Sequence, residues 1–268
     1  MDSFCDAYVD LCAGMGQGEF AGWAGFSRDG MSDDEVRQFS AMRCVCADDI
    51  RSLFALSLAR LSCDGTARAV CSVGLDFVTS EIPVRKLLPV LSELKSASGI
   101  EIEYVLSINS DSSAVMNESS VADAFSLLGS GLFRGVFFSG SPFIEKPSVF
   151  SRFIRSAFRH GQMTGIDMTH NARLSRAANC LIRDVRPCEV VASSLSDADF
   201  LISNIDFLSE NNVAAVFTPD LFRRYGSELL NRIRYLNSCG VNVAFGSGRF
   251  LFHGISARLF CEEAAVRR

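Results

Sequence analysis

Short apolar runs recur along most of this chain, each separated from the next by a turn and a stretch with helical spacing. The clearest are Ala69–Val78 (AVCSVGLDFV), Ile102–Ile108, Phe133–Phe138 (FRGVFF), Met163–Thr169, Glu189–Ala192, Val213–Phe217 and Val241–Phe245. Between them lie amphipathic segments such as Pro83–Ala97, with Leu87, Leu88, Val90, Leu91 and Leu94 on one face, and the segments Ser119–Leu128, Asp197–Glu210 and Gly226–Ser238. Runs that are apolar throughout, rather than alternating, read as strands buried on both faces. Strands alternating with helices imply a parallel sheet with right-handed crossovers. The number of runs favours an α/β fold of the TIM-like (β/α) barrel type, with an open doubly wound parallel sheet as the runner-up.

The regular pattern begins at residue 31, so 31–268 reads as the barrel and 1–30 as an N-terminal arm. Ser32-Asp33-Asp34-Glu35 resembles a capping box. A second helix starts at Asp48 or Asp49, has apolar positions Ile50, Leu53, Phe54, Leu56, Leu58 and Leu61, and ends at Asp64-Gly65. Within the arm, Met1–Cys12 reads as a short helix. The glycine-rich run Gly14–Gly18 breaks regular structure, and Phe20–Phe26 reads as a strand. On this reading the first barrel strand is shortened or absent, and the barrel is incomplete or open there. An open seam exposes a strand edge that invites pairing. The arm itself, a second copy of the chain or a protein partner is the expected cover.

Composition narrows the function classes. With 48% hydrophobic residues the chain can bury a large core. A net charge of −5 with scattered basic residues excludes a nucleic-acid or anionic-membrane surface. The N-terminus carries three aspartates before its first arginine, Arg28, unlike a secretory or transit signal, so a cytoplasmic location is expected. Ten cysteines occur without C-x-x-C spacing and read as reduced, mostly buried thiols.

In a barrel, ligands sit where strands end, so the residues just past each run are the candidate site. RGVFFSGSP ends the third run, AFRHGQMTGIDMTHNAR leads into and out of the fourth, VVASS ends the fifth, and AFGSGR ends the seventh. These strand ends, in this order, resemble the adenosine deaminase family of metal-dependent barrels over roughly residues 32–252. Gly135, Gly140, Gly161, His170 and Pro219 match the family's patterns.

That resemblance implies a zinc ion held by an H-x-H on the first strand, a histidine after the fifth and an aspartate after the eighth. It also implies a glutamate that moves protons and a histidine on the sixth strand. Carried across, only His170 is kept. Arg173 stands at the glutamate position, Ser193 at the sixth-strand histidine, and Ser247 and Gly248 at the aspartate pair. The chain has three histidines, His160, His170 and His253, and no H-x-H. Hydroxyls cannot replace carboxylate charge at a zinc ion, so no metal, cofactor or catalytic residue is assigned.

The expected protein is therefore a deaminase-like barrel that has lost zinc-dependent deamination, with a small-molecule-binding or assembly role. Gly140, His170, Arg173, Ser193, Ser247 and Arg249 outline its vestigial pocket. Two alternatives stand: an active purine deaminase or other hydrolase with an altered site, and an enzyme holding a phosphorylated ligand at Gly246–Arg249. A purine or a phosphate is the expected ligand.

Overall fold

The computed structural model describes residues 4–31, 33–109, 118–139, 155, 157, 159–168, 182–183, 185–192, 194–248, 254 and 256–266. Eight parallel strands follow one another around the sheet in sequence order. They are β1 (Phe4–Asp10), β2 (Thr66–Gly74), β3 (Glu101–Asn109), β4 (Phe133–Ser139), β5 (Met163–Asp167), β6 (Glu189–Ala192), β7 (Ala214–Phe217) and β8 (Val243–Phe245). The helices are α1 (Gln17–Ala24), α2 (Asp33–Arg43), α3 (Ala47–Cys63), α4 (Val84–Ala97), α5 (Glu118–Gly129), α6 (Leu195–Ile202), α7 (Ile205–Glu210), α8 (Pro219–Ser238) and α9 (Ala257–Val266).

Strand alternation divides the core in two. Tyr8, Val70, Val105, Phe137, Met163, Val191 and Val216 fill the inside of the barrel, with Ala244 packed against them. Their neighbours Val9, Ala69, Cys71, Leu106, Val136, Ile166, Val190 and Ala215 face the helices. This double burial explains why the strands read as continuous apolar runs. Local signals set the helix starts. Ser194 caps α6, its hydroxyl accepting the Asp197 N–H at 3.1 Å, and Cys46 with Asp49 forms a capping box at α3. The expected single helix over 197–210 is two, α6 and α7, because the chain turns at Ser203-Asn204. The helix expected from Gly226 begins earlier, at Pro219, and kinks at Gly226. Ser32, of the expected capping box, lies outside the described residues.

The N-terminal segment differs most from expectation. Phe4–Asp10 is the first barrel strand, not part of a helix, and Gln17–Ala24 is a helix rather than a strand. Aspartates at 6 and 10 interrupt what would otherwise be an apolar run, which disguises β1. Phe20 and Ala24, four residues apart and both buried, give α1 its packed face.

The sheet is nearly closed, and its one unsealed seam lies between β1 and β8. Strands β1 to β8 are otherwise joined by ladders, whereas the seam has an isolated parallel bridge, Val9 to Gly248. Asp10 N–H donates to the Gly248 carbonyl at 2.9 Å, and Gly248 N–H donates to the Tyr8 carbonyl at 2.8 Å. Helix α9 packs on the outside against β1, β8 and α8. Its Phe260 is buried against Phe222 and Phe245, with ring centroids 5.0 and 4.9 Å away. At the N-terminal rim of the barrel, Arg68 and Arg134 both pair with Glu103, and burial raises the nearby Glu189 carboxyl to about 7.

Gly246 permits the strands to meet, since a Cβ there would lie 2.8 Å from the Tyr8 backbone nitrogen and oxygen. Gly246→Ala is therefore expected to cost about 1–3 kcal/mol in urea unfolding, by forcing the seam apart. Gly22→Ala, on α1 with no heavy atom within 4 Å of the new methyl, is the control, and is expected to gain about 0.5–1 kcal/mol.

Candidate functional site at the C-terminal mouth of the barrel

One step beyond the apolar interior layer, the strands present polar residues at the mouth. Two residues on from Val70, Val105, Phe137 and Val216 come Ser72, Ser107, Ser139 and Thr218, each buried and on the same strand face. Two residues on from Tyr8 comes Asp10, and β5 ends in Asp167; both acids are buried. The mouth therefore holds hydroxyls and two carboxylates. Because arginine–glutamate pairs occupy the N-terminal rim, the C-terminal mouth is the end at which these groups can meet a ligand.

Tyr8 is the central side chain. Its hydroxyl donates to Asp167 Oδ2 at 2.7 Å, linking β1 to β5, the strand on the far side of the barrel. The ring stacks on Phe137 with centroids 5.6 Å apart and planes 3° from parallel. Gly165 makes room for that pair, since a Cβ there would lie 2.3 Å from the Phe137 ring. Asp10 Oδ1 accepts the Cys12 N–H at 3.1 Å, fixing the turn that leaves β1. A phenol hydrogen-bonded to a carboxylate is a charge-assisted bond, stronger than a neutral one.

Most of the residues expected at the pocket, Gly140, His170, Arg173, Ser193 and Arg249, lie outside the described residues. Ser247 is described, and it does not line the mouth. It is buried, with its hydroxyl donating to Asp6 Oδ2 and its N–H donating to Asp6 Oδ1 at 2.9 Å. The Ser247 hydroxyl also accepts the Ala257 N–H at 3.0 Å, so its polar atoms serve the seam and the start of α9. His160 is exposed and precedes β5 by three residues, which places it at the N-terminal face, away from the mouth. Tyr8 and Asp10 were hidden in the sequence by the reading of Met1–Cys12 as a helix. The available signal was their alternation, Tyr8-Val9-Asp10-Leu11, polar and apolar by turns at a strand's end.

No family model matches the chain, and no curated protein matches its sequence. Solved structures do match. An adenine deaminase from Arthrobacter aurescens superposes with a TM-score of 0.72 at 13% identity, over 98% of this chain and 86% of that one. An amidohydrolase from Burkholderia ambifaria, solved with bound zinc, superposes with a TM-score of 0.74 at 12% identity, over 97% of this chain and 79% of that one. The chain shares the barrel fold of these two structures.

Within that fold, the described residues do not supply the zinc set that the resemblance implies. The first strand ends in Tyr8-Val9-Asp10 where the resemblance implies H-x-H, and the Tyr8 hydroxyl is bound to Asp167. Among the described residues, no group of three His, Cys, Asp or Glu is placed to hold a metal. No helix among them is long and apolar enough to cross a membrane, and no disulfide links their cysteines.

Tyr8→Phe keeps the ring on Phe137 and removes only the bond to Asp167. It is expected to lower stability by about 1.5–3 kcal/mol, the range for a hydrogen bond to a charged group, read from equilibrium denaturation. A loss within experimental error would show that the cross-barrel bond contributes nothing.

Proposed function

We propose that this chain is a deaminase-fold protein without zinc-dependent deamination, and that its barrel mouth binds a small molecule. The carrying observation is the Tyr8–Asp167 bond. On this reading the end of the first strand, where the resemblance implies two zinc-binding histidines, holds a tyrosine committed to a cross-barrel hydrogen bond. A zinc site of this kind needs three or four nitrogen, sulfur or carboxylate donors converging on one point. A phenol donating its proton to a carboxylate does not supply one, and the adjacent Asp10 spends one oxygen on the Cys12 amide. The sequence supports the same reading, since a chain with three histidines and no H-x-H lacks the imidazole set.

The mouth suits binding rather than bond cleavage. Its hydroxyls donate and accept, and its carboxylates accept, so they can recognise a polar ligand. The resemblance makes a purine the first ligand class to try. The phosphate reading loses its serine, because Ser247 is turned toward Asp6, while Arg249 lies outside the described residues.

Two measurements on one preparation test this. Protein purified from zinc-supplemented medium without chelator is analysed for metal by mass spectrometry, and assayed for ammonia release from adenine and adenosine. Well below about a tenth of a zinc equivalent per chain, with no ammonia above the rate without protein, is expected. Stoichiometric zinc together with ammonia release would overturn the proposal and restore the active deaminase.

A further inference from the structure

The seam between β1 and β8 has a buried acid at its centre. Asp6 pairs in register with Ala69 on the helix-facing side of β2, just before the irregularity that separates Asp6 from Val9. It is 0% exposed. Its Oδ1 accepts the Ser247 N–H at 2.9 Å and the Tyr8 N–H at 3.3 Å, and its Oδ2 accepts the Ser247 hydroxyl. Through Ser247 Oγ the network continues to the N–H of Ala257, the first residue of α9. One carboxyl thus joins the first strand, the turn after the last strand and the helix that covers both.

The charged groups around it offer little compensation. Among the described residues no lysine, arginine or histidine forms an ion pair with Asp6. Asp64, at the C-terminal end of α3, repels it, and the thiols of Cys5 on β1 and Cys71 on β2 are close enough to feel its charge. Arg258 on α9 is directed elsewhere, donating to the Asp64 carbonyl at 2.8 Å and to Glu262 at 3.0 Å. Arg60 on α3 lies 3.4 Å from the Asp64 carboxylate, and Arg68 on β2 pairs with Glu103. The hydrogen bonds and the N-terminus of α9 favour the anion, while the loss of water opposes it.

We propose that Asp6 is a pH-responsive latch on the β1–β8 seam, shut while its carboxyl is neutral and released when the carboxyl ionises. On release the anion gains water, and the Gly246–Gly248 turn and the first turn of α9 come away from β1 together. Because Ser247 follows β8 at the mouth end of the barrel, the latch also acts on the rim of the candidate site.

Burial lifts the Asp6 carboxyl from 3.8 to about 7, against the lowering effect of the Ser247 and Tyr8 donors, and Asp64 adds to the rise. In an opened, hydrated seam the same group would titrate near its ordinary value. An acid raised in the closed state supports closure fully below its ordinary pKa, and that support is lost as pH climbs through the raised one. The opening equilibrium therefore rises by up to about tenfold per pH unit between roughly 4 and 7, then levels off.

Amide hydrogen exchange on the full chain, corrected for the intrinsic effect of pH, tests this between about pH 5 and 8. The reporters are Asp10, Gly248 and Ala257, whose N–H groups cross or abut the seam, with Val105 on β3 as reference. In the wild type, protection at the reporters is expected to fall by up to about tenfold per unit to near pH 7 and then level, with Val105 changing less. Asp6→Asn keeps an acceptor but cannot ionise, and its reporters should be flat. Ser247→Ala removes the hydroxyl donor, keeps the backbone N–H and leaves the charge, so the step should remain and move to higher pH. Flat wild-type reporters, or an unchanged step in Asp6→Asn, would overturn the latch. Should Asp6→Asn fail to fold, carbon NMR titration of the wild-type Asp6 carboxyl decides, and an apparent value near 4 rejects the proposal.

Discussion

Closing a parallel barrel requires its last strand to come within backbone hydrogen-bonding distance of its first, and here that approach is confined to a few atoms. Gly246 and Gly248 bring β8 to Tyr8 and Val9, because a side chain at 246 would overlap the Tyr8 backbone. Much else follows from this contact. With the β2 ladder that registers β1, it places the strand whose Tyr8 enters the barrel and meets Asp167. It also puts Asp6 against Ser247 and leaves the outer side of the seam to α9. The aromatic cluster of Phe222, Phe245 and Phe260 then replaces, by apolar burial, part of what the short ladder lacks.

Tyr8 and Asp6 lie two residues apart on the same strand and face opposite ways, and they solve different problems. Tyr8 lies inside the barrel, where its ring has apolar neighbours and its hydroxyl needs an acceptor; Asp167 supplies one across the axis. Asp6 lies outside, where neutral donors surround a carboxyl that water no longer reaches. The irregularity between Asp6 and Val9 allows both orientations, since strict alternation would put residues 6 and 8 on one face. A local break in strand geometry thus supplies both the cross-barrel brace and the seam carboxyl.

Much of the fold was legible because barrel strands are buried on both sides and barrel helices on one. The runs at 102–108, 133–138 and 189–192 show this directly, lying within a residue of β3, β4 and β6. The open seam was legible too, although its cause was not. The sequence reading lost β1, whereas the structure has β1 in place and the break on its β8 side. FCDAYVD was hard to read because its buried aspartates look like surface residues, and the partners that hold Asp6 and Tyr8 in place lie 241 and 159 residues away. The candidate site was less legible for the same reason. Ser247 seemed a mouth residue by strand-end position, yet its hydrogen bonds point outward, and side-chain direction past the last regular strand residue is set by contacts that periodicity does not encode.

A barrel can keep its shape while the groups at its mouth change, because different atoms determine the two. The shape depends mainly on the alternating layers of Val, Leu, Ile and Phe and on the strand registers, most of which lie below the mouth. The mouth depends on single residues at strand ends, each replaceable without moving the strand. A tyrosine and an aspartate at the end of β1 illustrate the consequence. In the place where the resemblance implies ligands that need a metal to be satisfied, this chain carries a tyrosine hydroxyl matched by Asp167, and an aspartate one oxygen of which accepts the Cys12 amide. Imidazoles converging on one point without a metal would leave polar groups buried and in competition, at a cost to the apoprotein. The Tyr8–Asp167 arrangement carries no such cost. The barrel can therefore be stable without a metal, with the hydroxyls of Ser72, Ser107 and Thr218 buried at the same mouth.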